Sequence, residues 1–172
     1  QSVARGLPDA ARERVVMLGA GGAGGAVAHA LMVSGVGEMV IVDVTADRAA
    51  ALATRTQERF PQGQCRPGDA AEPDRLLAGA DGLVNATPIG MAHHPGMPVP
   101  AELLRPPMWV ADIVYRPVRT ELLRHAEKRG CPTLNGGGMA VFQASHAFRL
   151  ITGIEPDPER MLGHFQELLA RK

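Results

Sequence analysis

Short, largely apolar runs at residues 15–18, 39–42, 81–86 and 109–114 alternate along this chain with longer stretches whose apolar residues recur at helical spacing. A short apolar run between turn formers suits a strand buried on both faces, and recurrence at i, i+3 and i+4 suits a helix lying against it. Val27, Ala30, Leu31 and Ser34 carry that recurrence between the first two runs. Over residues 46–60 it is carried by Ala49, Leu52, Ala53 and Thr56, with Arg48, Arg55, Gln57 and Arg59 on the outer face and Pro61-Gln62-Gly63 as the stop. A strand over 64–66 and a brief helix over 72–77 rest on weaker signals. Beyond residue 81, strands are expected over 81–86, 109–114 and 131–134. Helices are expected over 120–129, with Leu122 and Leu123 inward, over 139–152, and over 158–171, with Met161, Phe165, Leu168 and Leu169 at core spacing. Residues 87–98, TPIGMAHHPGMP, hold too much Pro, Gly and Met for regular structure and form a loop where strand ends gather.

Strands alternating with helices predict an α/β fold: a Rossmann-like, doubly wound, mostly parallel six-stranded sheet with helices on both faces. Residues 1–172 are expected to form a single dinucleotide-binding domain, of which 139–172 are the C-terminal helices. Val3 and Leu7 stand four apart before Pro8 and Asp9, so residues 1–10 read as the remnant of an interdomain helix. Gln1 stands where an initiator Met is expected, which reads as a fragment or a processed chain.

Charge and composition narrow the partners. With 18 basic and 18 acidic residues and no basic block, nucleic acid is not expected. No apolar run nears the roughly 18 residues of a membrane span, and the N-terminus has no signal-peptide core, which makes cytoplasmic the default location. Cys65 and Cys131 are isolated and read as reduced thiols. His93-His94 reads as a solvated pair rather than metal ligands, and no metal site is expected.

The sequence Gly19-Ala20-Gly21-Gly22-Ala23-Gly24 follows the first apolar run and opens the first helix, and Asp43 ends the next run, 19 residues beyond Gly24. That is the arrangement of a dinucleotide-binding βαβ unit. Gly19 turns the chain, Gly21 lets the backbone approach a pyrophosphate, Gly24 lets helix meet strand, and the helix N-terminus receives the phosphates. A carboxylate at Asp43 accepts hydrogen bonds from ribose hydroxyls and repels a 2′-phosphate, so NAD is expected over NADP; the alternative is a capping or solvated acid. Arg48 could bind a 2′-phosphate or stack on adenine.

Three later loops carry further chemistry. Asn85-Ala86-Thr87 offers an amide and a hydroxyl, Tyr115 a phenol, and Met139 and Gln143 share a helical face beyond Gly138. Taken singly, Asn85 and Thr87 could be turn formers, Tyr115 a packing residue and Gln143 a solvated position. Taken together, GAGGAGGAVAHAL, NATPIGM, DIVYRPVRTELL and GGGMAVFQA in this order resemble the cofactor domain of the shikimate and quinate dehydrogenase family, over nearly the whole chain. The resemblance implies reversible oxidation of a ring hydroxyl of shikimate, quinate or a close analogue. It implies that Gly19, Gly21, Gly22, Ala23 and Gly24 hold the pyrophosphate, and that Asp43 and Arg48 hold the adenosine. Asn85, Ala86 and Thr87 would line the nicotinamide-ribose side, Gly138 and Met139 would flank the nicotinamide, and Tyr115 and Gln143 would reach the substrate.

Three departures matter. NADP-preferring members carry an Asn-Arg-Thr-like sequence where this chain has Asp43-Val44-Thr45, which points to NAD and the quinate/shikimate type. Residues 135–138 are richer in glycine than the family pattern, which predicts a less rigid loop. The family exchanges the hydroxyl proton through a Lys and Asp pair on an N-terminal substrate domain, and neither Lys128 nor Lys172 stands in a plausible site. No catalytic residue is therefore expected in this chain, and it is expected to bind dinucleotide without turnover. The alternatives are a free-standing NAD-binding sensor or partner module, or an enzyme for an aminoshikimate or aminoquinate analogue. Without the substrate domain, Met91, Tyr115 and Met139 are expected to form an exposed apolar patch that offers a route to a homodimer.

Overall fold

The computed structural model describes residues 6–170, apart from the side chains of Gln166, Leu169 and Ala170. Its strands are β1 (Arg14–Leu18), β2 (Glu38–Val42), β3 (Gln64–Pro67), β4 (Gly82–Asn85), β5 (Trp109–Asp112) and β6 (Thr133–Leu134). They lie in the order β3-β2-β1-β4-β5-β6, and every pairing is parallel, where a mostly parallel sheet was expected. Parallel neighbours need crossovers, which here are largely helical: α1 (Gly22–Val33), α2 (Ala46–Arg59), α3 (Pro73–Leu77) and α4 (Glu121–Lys128). A loop with a 3-10 turn at Ala101–Leu103 joins β4 to β5, and α5 (Gly137–Thr152) and α6 (Pro158–Ala170) follow the sheet.

Because successive strand residues face opposite sides, each apolar run feeds two cores. Val15, Met17, Met39, Ile41, Val84 and Trp109 pack with α1 and α2 on one face. Val16, Leu18, Val40, Val42, Leu83 and Val110 pack with α3 and α4 on the other. Helices thus cover both faces of the sheet, the Rossmann-like arrangement expected from the alternation of elements.

The structure shifts several expected details. On α1 the buried stripe is Gly24, Val27, Ala28, Leu31 and Met32, so the helix is rotated relative to the expected face; Ala30 is exposed and Ser34 half-buried. On α2 the buried residues are the four expected, but Gln57 is not simply solvated. Its amide donates to the Gly63 carbonyl at 2.9 Å and accepts from the Cys65 N–H at 2.7 Å, tying the end of α2 to β3. The run at 109–114 leaves the sheet after Asp112, whose carboxylate accepts the Val114 N–H at 3.0 Å and turns the chain. α5 starts two residues before the expected point, so Gly138 lies inside the helix. Leu168 on α6 is 50% exposed rather than core, and Leu169 lies outside the described side chains. The expected helix end at 2–7 falls mostly outside the described residues; Leu7 itself is buried.

Candidate functional site

The strand order reverses between β1 and β4, and in open α/β sheets the crevice at such a point receives the ligand. Here the loops after the two strands touch. The Ala86 N–H donates to the Leu18 carbonyl and the Gly19 N–H to the Val42 carbonyl, both at 2.7 Å. Gly19 has φ of +99°, and a Cβ there would fall 2.7 Å from the Ala86 carbonyl carbon. A Cβ on Gly24 would collide with the Gly19 carbonyl oxygen. Gly21 and Gly22 face nothing within 4 Å, so their backbone is open to a ligand. Gly21 is the N-cap of α1, with no side-chain cap and no acidic residue in the first turn. The helix start therefore presents uncapped N–H groups beside Ala23, which suits a pyrophosphate.

Asp43 stands at the end of β2 beside this turn. Its Oδ2 accepts the Ala20 N–H at 2.7 Å and its Oδ1 the Thr45 N–H at 2.9 Å, so the acid ties the glycine loop to the loop after β2. Each carboxylate oxygen can take two hydrogen bonds, which leaves capacity for hydroxyl donors. Arg48 is exposed in the first turn of α2.

Thr87 and Ile89 line a cavity of about 100 Å³ together with Gly19, Asp43 and Val44. The structure thus places Thr87 across the crevice from Asp43. Asn85 is fully buried and its amide is committed: Nδ2 donates to the Ile89 carbonyl at 2.9 Å and to Asp112 at 3.0 Å, and Oδ1 accepts the Thr87 hydroxyl at 2.6 Å and the Thr87 N–H at 3.1 Å. Its side chain shapes the loop and has no free valence for a ligand.

Beneath the loop lie Asp112, 2% exposed, and Thr120, wholly buried. The Thr120 hydroxyl donates to Asp112 Oδ2 at 2.7 Å and accepts the Leu123 N–H at 3.3 Å, capping α4. Burial pushes the Asp112 carboxyl above its ordinary range, and the hydrogen bonds from Thr120, Val114 and Asn85 oppose that push. Sequence reasoning gave no role to either residue. Two signals were available: an acid at a strand end beside Asn85, and a Thr immediately before a helix.

The remaining expected residues gather elsewhere. Met139 and Gln143 line a second cavity, of about 830 Å³, between α1 and α5, together with Ala23, Ala30 and Ser34. Tyr115 is 46% exposed after β5 and does not line either cavity. The expected patch is partial: Met91 and Tyr115 are exposed, while Met139 packs against the core. Larger apolar exposure lies on α5 and just beyond it, at Leu150, Ile151 and Ile154. The loop before α5 is tied down rather than loose, since Asn135 Oδ1 accepts the Gly137 N–H at 3.0 Å and Gly136 packs under the Ile113 carbonyl. Both cysteines are free and sit in different cores, and burial pushes Cys65 up to about 11. Among the described residues, no group of three His, Cys, Asp or Glu is placed to hold a metal, and no helix is long and apolar enough to cross a membrane.

A family model described as the saccharopine dehydrogenase NADP binding domain matches residues 15–93. The chain is 61% identical over 170 residues to a protein of Streptomyces avermitilis named shikimate dehydrogenase (NADP(+)), covering 97% of this chain and 57% of that protein. It is 46% identical over 163 residues to a quinate/shikimate dehydrogenase (NAD(+)) of Corynebacterium efficiens, covering 95% of this chain and 57% of the relative. The structure of quinate dehydrogenase from Corynebacterium glutamicum in complex with NAD superimposes with a TM-score of 0.91 at 44% identity, over 96% of this chain and 59% of that one. The chain therefore spans a little over half the length of the curated relatives it matches.

Proposed function

Starting from a chain that belongs to the shikimate and quinate dehydrogenase family and matches its nucleotide-binding portion, we propose that it is the NAD-binding part of an enzyme that reversibly oxidises a ring hydroxyl of shikimate, quinate or a close analogue. The observation that carries this is the Ala20 N–H bond to Asp43 Oδ2, which sets the carboxylate beside the glycine turn that leads into the uncapped α1 N-terminus and the bare backbone of Gly21 and Gly22, at the strand-order reversal. In this reading the turn from Gly19 to Gly24 seats the pyrophosphate, with Gly22 and Ala23 at the helix start. Asp43 accepts the adenosine ribose hydroxyls, Arg48 lies near enough in sequence to cover the adenine, and Ala86 and Thr87 form the facing wall. A bound nicotinamide accepts or returns a hydride. Gly138 and Met139 lie in the first turn of the helix that faces it, and Gln143, one turn on, together with Tyr115 orients the ring substrate's polar groups.

The proton must be exchanged by another group. Lys128 is exposed at the C-terminal end of α4, where the chain returns to the amino ends of the strands, on the far side of the sheet from the crevice. The acid/base pair is accordingly assigned to the part of the enzyme that this chain does not match. The purified chain is expected to bind dinucleotide and to leave shikimate and quinate unchanged; turnover of either would refute this division of labour.

NADP use is a second reading, favoured by the naming of the 61% identical relative. Asp43 argues for NAD, because a carboxylate facing a 2′-phosphate is repelled. Calorimetry is expected to give at least tenfold tighter binding of NAD than of NADP, a difference of about 1.4 kcal/mol. Asp43→Ala is expected to weaken NAD binding and narrow that ratio. Equal affinities in the parent chain would remove the selecting role of Asp43.

A further inference from the structure

The crevice wall opposite Asp43 is a loop, and a loop holds its shape only where its polar groups have partners. For residues 87–89 those partners form one chain of hydrogen bonds with a single direction. The Ile89 N–H donates to Thr87 Oγ1 at 3.1 Å, the Thr87 hydroxyl donates to Asn85 Oδ1, and Asn85 Nδ2 donates to Asp112 Oδ1. The chain ends on a buried carboxylate, which can only accept while ionised. Asp112 and the Ile89 carbonyl both accept from Asn85 Nδ2, and the carboxylate, as the charged acceptor, holds the NH₂ on its side so that the amide oxygen meets Thr87. The Val114 N–H donates to the same carboxylate, and the Thr120 hydroxyl donates to its Oδ2 and fixes it against α4. Gly90 shows how closely the loop crosses this pair, since a Cβ there would lie 3.4 Å from Thr120 Cγ2 and 3.8 Å from Asp112 Oδ2.

We propose that Asp112, held by Thr120, is a positioning residue that sets the Thr87–Ile89 wall of the nucleotide crevice through the orientation of the Asn85 amide. One chemical consequence follows. With its proton given to Asn85 and one lone pair taken by the Ile89 N–H, the Thr87 hydroxyl meets a ligand as an acceptor only, and so favours a ligand N–H or O–H such as the adenine amino group or a ribose hydroxyl. The proposal rests on the reading of this crevice as the adenosine site.

The test is calorimetry of the full chain with ADP, which probes the adenosine half alone. Asp112→Asn keeps the shape and loses the direction of the network; Thr87→Val removes its last member. Each is expected to weaken ADP binding about tenfold, as the loss of one well-placed hydrogen bond would. The double variant is expected to be no weaker than the poorer single variant, because both act through one contact. Thr120→Val is expected to behave as Asp112→Asn does, and Thr120→Ser to restore the parent affinity. Multiplicative losses in the double variant, or parent-like ADP affinity in Asp112→Asn, would overturn the proposal. If Asp112→Asn does not fold, the same cycle run with Thr120→Val decides in its place. Amide exchange in the nucleotide-free chain gives an independent readout. Protection at Thr87 and Ile89 is expected to fall in Asp112→Asn and Thr120→Val while Met17 and Val84 in the sheet keep theirs, and unchanged protection would also overturn it. Failure of the parent chain to bind ADP would instead refute the adenosine reading, with the exchange experiment still deciding the positioning role.

Discussion

Gly19→Ala is expected to cost about 2–5 kcal/mol of stability and to abolish dinucleotide binding. Two effects combine at this position. A left-handed backbone costs an L-residue about 1–2 kcal/mol, and φ at Gly19 is +99°. A methyl group would also be driven against the Ala86 carbonyl, backbone that belongs to the strand-four loop and cannot swing aside, and overpacking of that kind costs about 1–3 kcal/mol. The binding loss follows from the same contact, because relief requires the loops after β1 and β4 to separate, and these two loops form the crevice. Gly21→Ala is the matching control. Its Cβ would meet nothing in the protein, so the urea midpoint is expected to stay near the parent value while NAD affinity falls at least tenfold, about 1.4 kcal/mol. If Gly19→Ala unfolds at the parent midpoint, the two loops are not braced as described.

Trp109→Ala carries a comparably large expected loss of stability at the amino end of β5, away from that crevice. The indole is 1% exposed, lies over Gly82 on the adjacent strand, and donates its Nε1–H to the Ala11 carbonyl at 2.8 Å. Removing it empties an aromatic-sized space beside a residue that has no side chain to refill it, and leaves a carbonyl without its donor. Truncations of this size cost about 3–5 kcal/mol. For a chain of this length that lowers the melting temperature by roughly 6–20 °C, measured by circular dichroism. Ile151→Ala is the comparison, since Ile151 is 83% exposed and a surface change of this kind is expected to stay within about 0.5 kcal/mol. Equal effects of the two would mean that Trp109 is not a keystone of the core.

The same residues show what could be read from the sequence. The four buried positions of α2 and the inward Leu122 and Leu123 followed from spacing, because a helix on a sheet must bury one stripe and those stripes were apolar but for Thr56. On α1, spacing placed Val27 and Leu31 inward as found but misplaced Ala30 and Ser34, which are small enough to suit either side. The structure uses them as the wall of the large cavity. The glycine turn was legible because each glycine has a distinct local cause. The Asn85–Asp112–Thr120 network was not, because its members come from three elements and meet only through the β4–β5 register, which pairs Asn85 with Asp112.

The two outer strands have a consequence for how this protein behaves at high concentration. β3 offers four residues, ending in Pro67, which has no N–H to donate, and β6 offers two. A sheet with such short rims gives an incoming strand little to pair with, so growth by strand addition is poorly templated at either end. Contacts between copies would have to be made by helical surfaces, such as the apolar positions at the end of α5. They would then be side-chain contacts, reversible on dilution and weakened by changes such as Ile151→Asp, rather than ladders that extend into fibres.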